Sequence, residues 1–260
     1  MMQSVSKLVD SKITATDGEV GHVRDVYFDD VRWTIRYLVV DAGTWLTGRD
    51  VLISPYSVTH EAQQGHIPVR LTREQVKNSP PIDTHQPVSR QHERQYMDYY
   101  AYPAYWAGSD LWAMGGLPVL PPPLPTAVET QAEIEARDKD IPEEDFHLRS
   151  CGDVKGHDIQ AMDESIGHVS DFLYDPASWA IRYLVVDTSG WWPGGKKVLL
   201  ATPWIDRIDW ADRTVFTGLT RDEVKNSPEY QEAVPLERAY EESLHAAYKR
   251  PAYWSANSDG

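Results

Sequence analysis

The sequence predicts a mainly β protein: two small antiparallel β-barrels, each followed by short C-terminal helices. Three observations carry that expectation. A strand-like phrase is written twice, WTIRYLVVD at Trp33–Asp41 and WAIRYLVVD at Trp179–Asp187. Short apolar runs broken by turn residues surround both copies at strand spacing. The match then continues into helical tails, so a whole domain is repeated rather than one strand.

Residues 21–41 and 167–187 share 13 identities in 21 positions, among them Gly21/Gly167, His22/His168, Asp25/Asp171, Trp33/Trp179 and Arg36/Arg182. LTREQVKNSP at Leu71–Pro80 recurs as LTRDEVKNSP at Leu219–Pro228, and PAYW at Pro103–Trp106 recurs at Pro251–Trp254. A unit of this length is a complete domain, too long for a solenoid repeat. The chain therefore divides into a first barrel with its tail at 1–110, a proline-rich and acidic linker at 111–145, and a second barrel with its tail at 146–260. Intramolecular pairing of the two repeats, as a pseudo-symmetric pair, follows naturally from such a duplication.

Within each unit the strands come first. Glu19–Asp29 is rich in β-branched and aromatic residues and ends at a turn, DDVR in the first copy and DPAS in the second. Trp33, Ile35, Tyr37 and Val39 alternate with Thr34, Arg36, Leu38 and Val40, and both faces turn apolar toward the end, as a doubly covered strand requires. Val51–Ser54 and Val198–Ala201 are further short strands. Ser57–His60 with His66–Leu71, and Ile205–Trp210 with Thr214–Leu219, predict hairpins.

Helices close the unit. Thr72 with Gln75, and Thr220 with Glu223, form capping boxes, and Pro80 and Pro228 keep the helices brief. A second helix is predicted from a stripe at Val88, His92, Tyr96 and Tyr100, matched by Leu236, Tyr240, Leu244 and Tyr248. The PAYW box follows, and its aromatics predict docking on a barrel, either its own or that of the other copy. LPVLPPPLP at Leu117–Pro125 favours polyproline II, a semi-rigid spacer, and Thr126–Lys139 predicts a short exposed helix.

Composition narrows function. The formal net charge is −15. Residues 1–110 carry 14 acidic and 11 basic side chains, residues 111–145 carry 8 and 2, and residues 146–260 carry 18 and 12. No segment offers the basic surface that phosphate neutralisation demands, so no nucleic-acid partner is expected. No apolar run reaches the ~18–20 residues needed to span a bilayer, and no secretory signal opens the chain. Cys151 is the one cysteine, opposite Val5 in the repeat, so duplicated thiol chemistry is excluded. A cytoplasmic location fits these features.

The motif G-H-V-x-D at Gly21–Asp25, then W-x-I-R-Y-L-V-V-D, a Trp-bearing loop and V-L-[IL], resembles the PRC-barrel domain over roughly residues 8–71 and 154–219. That domain is known from the cytoplasmic part of the photosynthetic reaction centre H subunit and from a ribosome maturation factor. The resemblance implies a small all-β barrel and no enzymatic activity. The membrane helix of the H subunit has no counterpart here, and neither does the different second β-domain of the ribosome factor.

No phosphate loop, CxxC, HExxH or GxSxG motif occurs, so neither catalytic nor metal-binding nor cofactor-binding residues are assigned and no cofactor is expected. The chain is expected to be a non-catalytic interaction or scaffold protein with a protein partner. Trp45 and the Trp191-Trp192 pair, in the glycine-rich loops TWLTGR and GWWPGGK, form the candidate interaction surface with Tyr105, Trp106, Tyr253 and Trp254. Arg36 and Arg182, mid-strand among apolar neighbours, are expected to pair with an acidic residue on the sheet. The alternative is an accessory protein like the H subunit, relaying protons beside a membrane redox complex. His22, Asp25 and Asp29, with His168, Asp171 and Asp175, would be its relay. Strict alternation puts His22 and Asp25 on opposite faces unless a bulge intervenes.

Overall fold

Twelve residues of β-rich sequence ending in an Asx turn make the backbone of the first sheet. In the computed structural model, which describes residues 1–46, 48–59, 65–81, 88–108, 110–113, 115–120 and 147–255, this run is a single strand over Gly18–Asp29. The Asp29 carboxylate accepts from the Val31 and Arg32 amides and turns the chain, a local bond that competes with further strand. Trp33 completes the turn with φ 50°, and Trp179 repeats it at 60°. The returning strand thus begins at Thr34, and Trp33, expected at its start, stands in the left-handed turn and stacks on Phe28 at 5.3 Å.

The chain forms two compact units: Lys7–Gly152 with Ala177–Ala180, and Met1–Ser6 with Asp153–Pro176 and Ile181–Gly260. Numbered along the chain, β1 (Gln3–Ser4) belongs to the latter. The unit holding Lys7–Gly152 contains β2 (Lys12–Ala15), β3 (Gly18–Asp29), β4 (Thr34–Asp41), β5 (Asp50–Ile53), β6 (His66–Pro68) and β7 (Leu148–Ser150). Its sheet runs β5-β4-β3-β2-β6, and β7 pairs with β3. The other unit contains β1, β8 (Asp158–Gln160), β9 (Ser165–Tyr174), β10 (Ile181–Asp187), β11 (Lys197–Ala201), β12 (Ile205–Asp209) and β13 (Thr214–Thr217), ordered β11-β10-β9-β8-β13-β12 with β1 on β9.

The mainly β expectation holds, with two refinements. Each sheet is an open hydrogen-bonded path, and each has one parallel pairing, β2 with β6 and β8 with β13. The second predicted hairpin forms as β12–β13. In the first unit its counterpart is β6 and a single bridge between Val58 and Val69. The division expected at 110 and 146 also differs from the compact units. Residues 1–6 complete the sheet of the second repeat, residues 147–152 complete that of the first, and Trp112, expected in the linker, is 1% exposed. The helix expected over Thr126–Lys139 lies outside the described residues.

Strand β4 is the centre of its core: Thr34 to Val40 are all buried. Each fully buried aliphatic or aromatic side chain there contributes about 1.5–3 kcal/mol of transfer free energy. The capping boxes of α1 (Arg73–Lys77) and α3 (Arg221–Asn226) form as expected. The longer helices α2 (Arg90–Tyr100) and α4 (Arg238–Ala247) follow. The predicted stripe lies largely inward, with Val88, Tyr96, Leu244 and Tyr248 buried, but His92 is exposed and the inner face also takes in Glu93, Met97, Glu241 and His245.

Candidate functional site

A buried glutamate on the inner face of each tail helix organises a cluster of charged and aromatic side chains in its unit. In the first unit Glu93, 1% exposed, accepts from the Tyr105 hydroxyl at 2.6 Å and from Arg90 at 3.3 Å. Arg90 also donates to the Tyr105 oxygen at 2.7 Å. Arg36 is fully buried, with its guanidinium 3.7 Å from the Tyr105 ring centroid and 4.7 Å from that of Trp112. One of its nitrogens donates to the Leu111 carbonyl at 2.5 Å and another to Asp29 at 3.1 Å. The expected pairing of Arg36 with an acidic residue is present, and the arginine holds the tail as well as the turn.

Burial lifts the Glu93 carboxyl to about 7, against the opposing pull of Arg90, the Tyr105 hydroxyl and Arg36. Burial likewise pushes the Tyr105 hydroxyl well above the phenol range, so it stays a donor. Arg36 pairs with Asp29 and Arg90 with Glu93, so each buried charge has an opposite charge beside it, the condition under which buried ion pairs are tolerated. Such an arrangement clasps the tail to the sheet.

The second unit repeats the device with changes. Tyr183 donates to Glu241 at 2.8 Å, and Tyr253 of the PAYW box donates to the same oxygen at 3.0 Å. Arg182 lies 4.4 Å from the Tyr253 ring centroid, and Arg238 lies 3.9 Å from that of Trp254 and 3.3 Å from Glu241. His245 Nδ1 meets the Pro251 carbonyl at 3.1 Å, and burial holds the imidazole below its usual range. Both PAYW boxes therefore dock on the barrel of their own repeat.

A second constellation sits at the edges of β3 and β9. A bulge does intervene: the register slips between Val23 and Asp25 in one sheet and between Val185 and Val186 in the other. It turns Asp25 to accept from Ser150 Oγ at 2.5 Å and the Gly152 amide at 3.2 Å. Asp171 accepts from Ser4 Oγ and, at 3.1 Å, from the Ser6 amide. One carboxylate takes a serine hydroxyl and the amide two residues on, in both units.

The remaining sequence candidates fall in three places. His22 and His168 face the register positions Asp41 and Asp187, and among the described residues no hydrogen bond joins His22 to Asp25 or Asp25 to Asp29. The proposed relay residues are thus apart, with Asp25 on the strand edge and Asp29 in the clasp; Asp175 adjoins Tyr174, whose hydroxyl is raised mainly by burial and further by that carboxylate. Of the seven aromatics expected at a surface, only Trp191 is exposed, at 39%. Trp192 is 7% exposed, and Trp45 donates to the Val20 carbonyl at 2.6 Å under the Arg73 guanidinium. Tyr105 is corrected most sharply: it is fully buried, because its hydroxyl and ring serve Glu93 and Arg36. No cluster of three or more potential metal ligands occurs among the described residues. No helix among them is long and apolar enough to cross a membrane.

Sequence reasoning missed Glu93 and Glu241. The signal was available as R-x-x-E, which recurs at Arg90–Glu93 and Arg238–Glu241 in register with the repeat.

These features define a class: a small, mostly antiparallel sheet with one parallel pairing, locked to a short helical tail. Residues 2–75 match the family model of the PRC-barrel domain, and this part of the chain is similar to that domain. A stretch of 68 residues is 38% identical to an uncharacterized protein of Deinococcus radiodurans, covering 26% of this chain and 24% of that protein. The chain thus matches about a quarter of its relative's length.

Proposed function

We propose that the chain is a non-catalytic interaction or scaffold protein built from two PRC-barrel modules, the second a duplicate of the first. One observation supports this reading: the buried ionisable groups of the clasp, and the two strand-edge aspartates, hold the fold. Asp29, Arg36, Arg90 and Glu93 satisfy one another and the tail, and Asp25 and Asp171 anchor edge strands. The exposed Trp191, in a loop with Gly190 and Gly194 at positive φ, is the side chain best suited to meet a partner. Cys151, the one cysteine of the sequence, is buried, which suits the reducing cytoplasm to which we assign the protein.

Native affinity isolation of the tagged full chain, with stoichiometry read by mass spectrometry, tests this. A protein partner recovered in near-stoichiometric amount, and substantially depleted with Trp191→Ala, is expected. A full chain that recovers nothing stoichiometric, or a partner indifferent to Trp191, counts against the surface and with it the scaffold reading.

A further inference from the structure

The segment that completes each sheet precedes, in sequence, the barrel of the other repeat. Residues 3–6 lead into β2 yet pair with β9 (Gln3 opposite Tyr174, Ser4 opposite Leu173). Residues 148–150 lead toward β8 yet pair with β3 (Ser150 opposite Tyr27, Arg149 opposite Phe28, Leu148 opposite Asp29). The family match itself begins at residue 2, so the domain as a sequence includes a strand that sits on another sheet.

We propose that the outer edge of β9, anchored by Asp171, is a strand-acceptor site that can be filled in trans, its ligand being Gln3–Ser6 of a second copy of this chain. Recognition is chemically specific. The edge supplies ladder bonds, Asp171 takes the Ser4 hydroxyl and the Ser6 amide, and the Tyr174 hydroxyl donates to the Gln3 side chain at 3.0 Å. Lys155 closes the site, 3.4 Å from Asp171 and 2.5 Å from Ser6 Oγ. The same hydroxyl-plus-amide pattern on Asp25 shows that the recognition rule belongs to the barrel edge and not to one sequence neighbourhood.

Occupancy differs between the two edges. The strand on β3 has three register pairs and an added Arg149–Asp30 ion pair at 2.8 Å, whereas the strand on β9 has two register pairs. Short, lightly paired segments open first. Because every copy carries both the ligand and its acceptor, exchange between two copies breaks and remakes the same bonds. Its equilibrium is then set by concentration. This inference rests on strand geometry alone and goes beyond the scaffold reading, which stands or falls separately.

The test uses the chain from Lys7 to Gly260, its fold checked by circular dichroism, and a fluorescent peptide of residues Met1–Leu8. Saturable binding is expected to the shortened chain, at least ten-fold weaker to the intact chain, and at least ten-fold weaker for the Ser4→Ala peptide or for Asp171→Asn protein. A folded shortened chain that ignores the peptide, or binds a scrambled one equally, overturns the proposal. Should the shortened chain fail to fold, the full-length double variant Ser4→Ala/Ser6→Pro removes both donors to Asp171 while keeping the segment; absence of peptide binding to that folded variant is equally decisive. For the second copy, light scattering after refolding at high concentration should show a larger dimer fraction for the intact chain than for the shortened one, and equal fractions overturn that assignment.

Discussion

Burial lifts the Glu93 carboxyl to about 7 while the unfolded chain titrates near 4.5, which ties stability to pH. The native state holds this proton more tightly, so its contribution is complete below about 4.5 and is lost as pH rises through 7. The groups facing it are Arg90, Arg36, Asp29 and Tyr105, and the two arginines limit the loss. Unfolding free energy from urea titrations should fall by on the order of 1–3 kcal/mol between pH 5 and pH 8. Glu93→Gln, which keeps a neutral side chain at every pH, should flatten that slope; an unchanged slope would refute the assignment. Arg36 was legible as a paired residue because an arginine amid apolar strand neighbours needs an anion. Its dual grip on turn and tail was not, since Asp29 lies seven positions before it and Leu111 seventy-five after it.

At the scale of elements, the Gly-His start of the repeated motif has a backbone cause. Gly21 and Gly167 have φ of 158° and 152°, and a Cβ built on them would meet the Asp41 and Asp187 carbonyl oxygens at 2.0 and 2.4 Å. The glycine lets β3 and β9 pass against the ends of β4 and β10. Gly21→Ala should therefore destabilise by about 2–4 kcal/mol, seen as a lowered urea midpoint, where an exposed strand glycine would gain stability from the same change. The tail is the other element with a clear consequence. Truncation after Arg250 removes the Tyr253 bond to Glu241 and the Trp254 ring beside His245, 5.1 Å between centroids. It should lower the melting temperature by several degrees; an unaltered melt would contradict the clasp. Helical periodicity located α2 and α4 and most of their inward face but left Glu93 and Glu241 off it, because hydrophobicity ranks glutamates as outward residues. Their partners, Tyr105 and Tyr253, come twelve positions later, beyond any helical period.

The whole molecule is governed by its charge and by the path of the chain between units. A net charge of −15 with no basic segment repels polyphosphates, so duplex DNA should show no mobility shift at 150 mM salt, and a salt-sensitive shift would overturn this reading. The sequence by itself determined the repeat, the mainly β class, the capping boxes and the PRC-barrel likeness. Each depends on spacing within a few residues or on one copy compared with the other. Tertiary structure alone decided which sheet receives residues 3–6, that Asp25 and Asp171 each accept from a serine hydroxyl and a backbone amide on an added strand, and that Tyr105 lies inside. Edge pairing and burial join positions up to 171 residues apart, as Gln3 and Tyr174 do, and no local pattern encodes which of two near-identical edges a strand will choose.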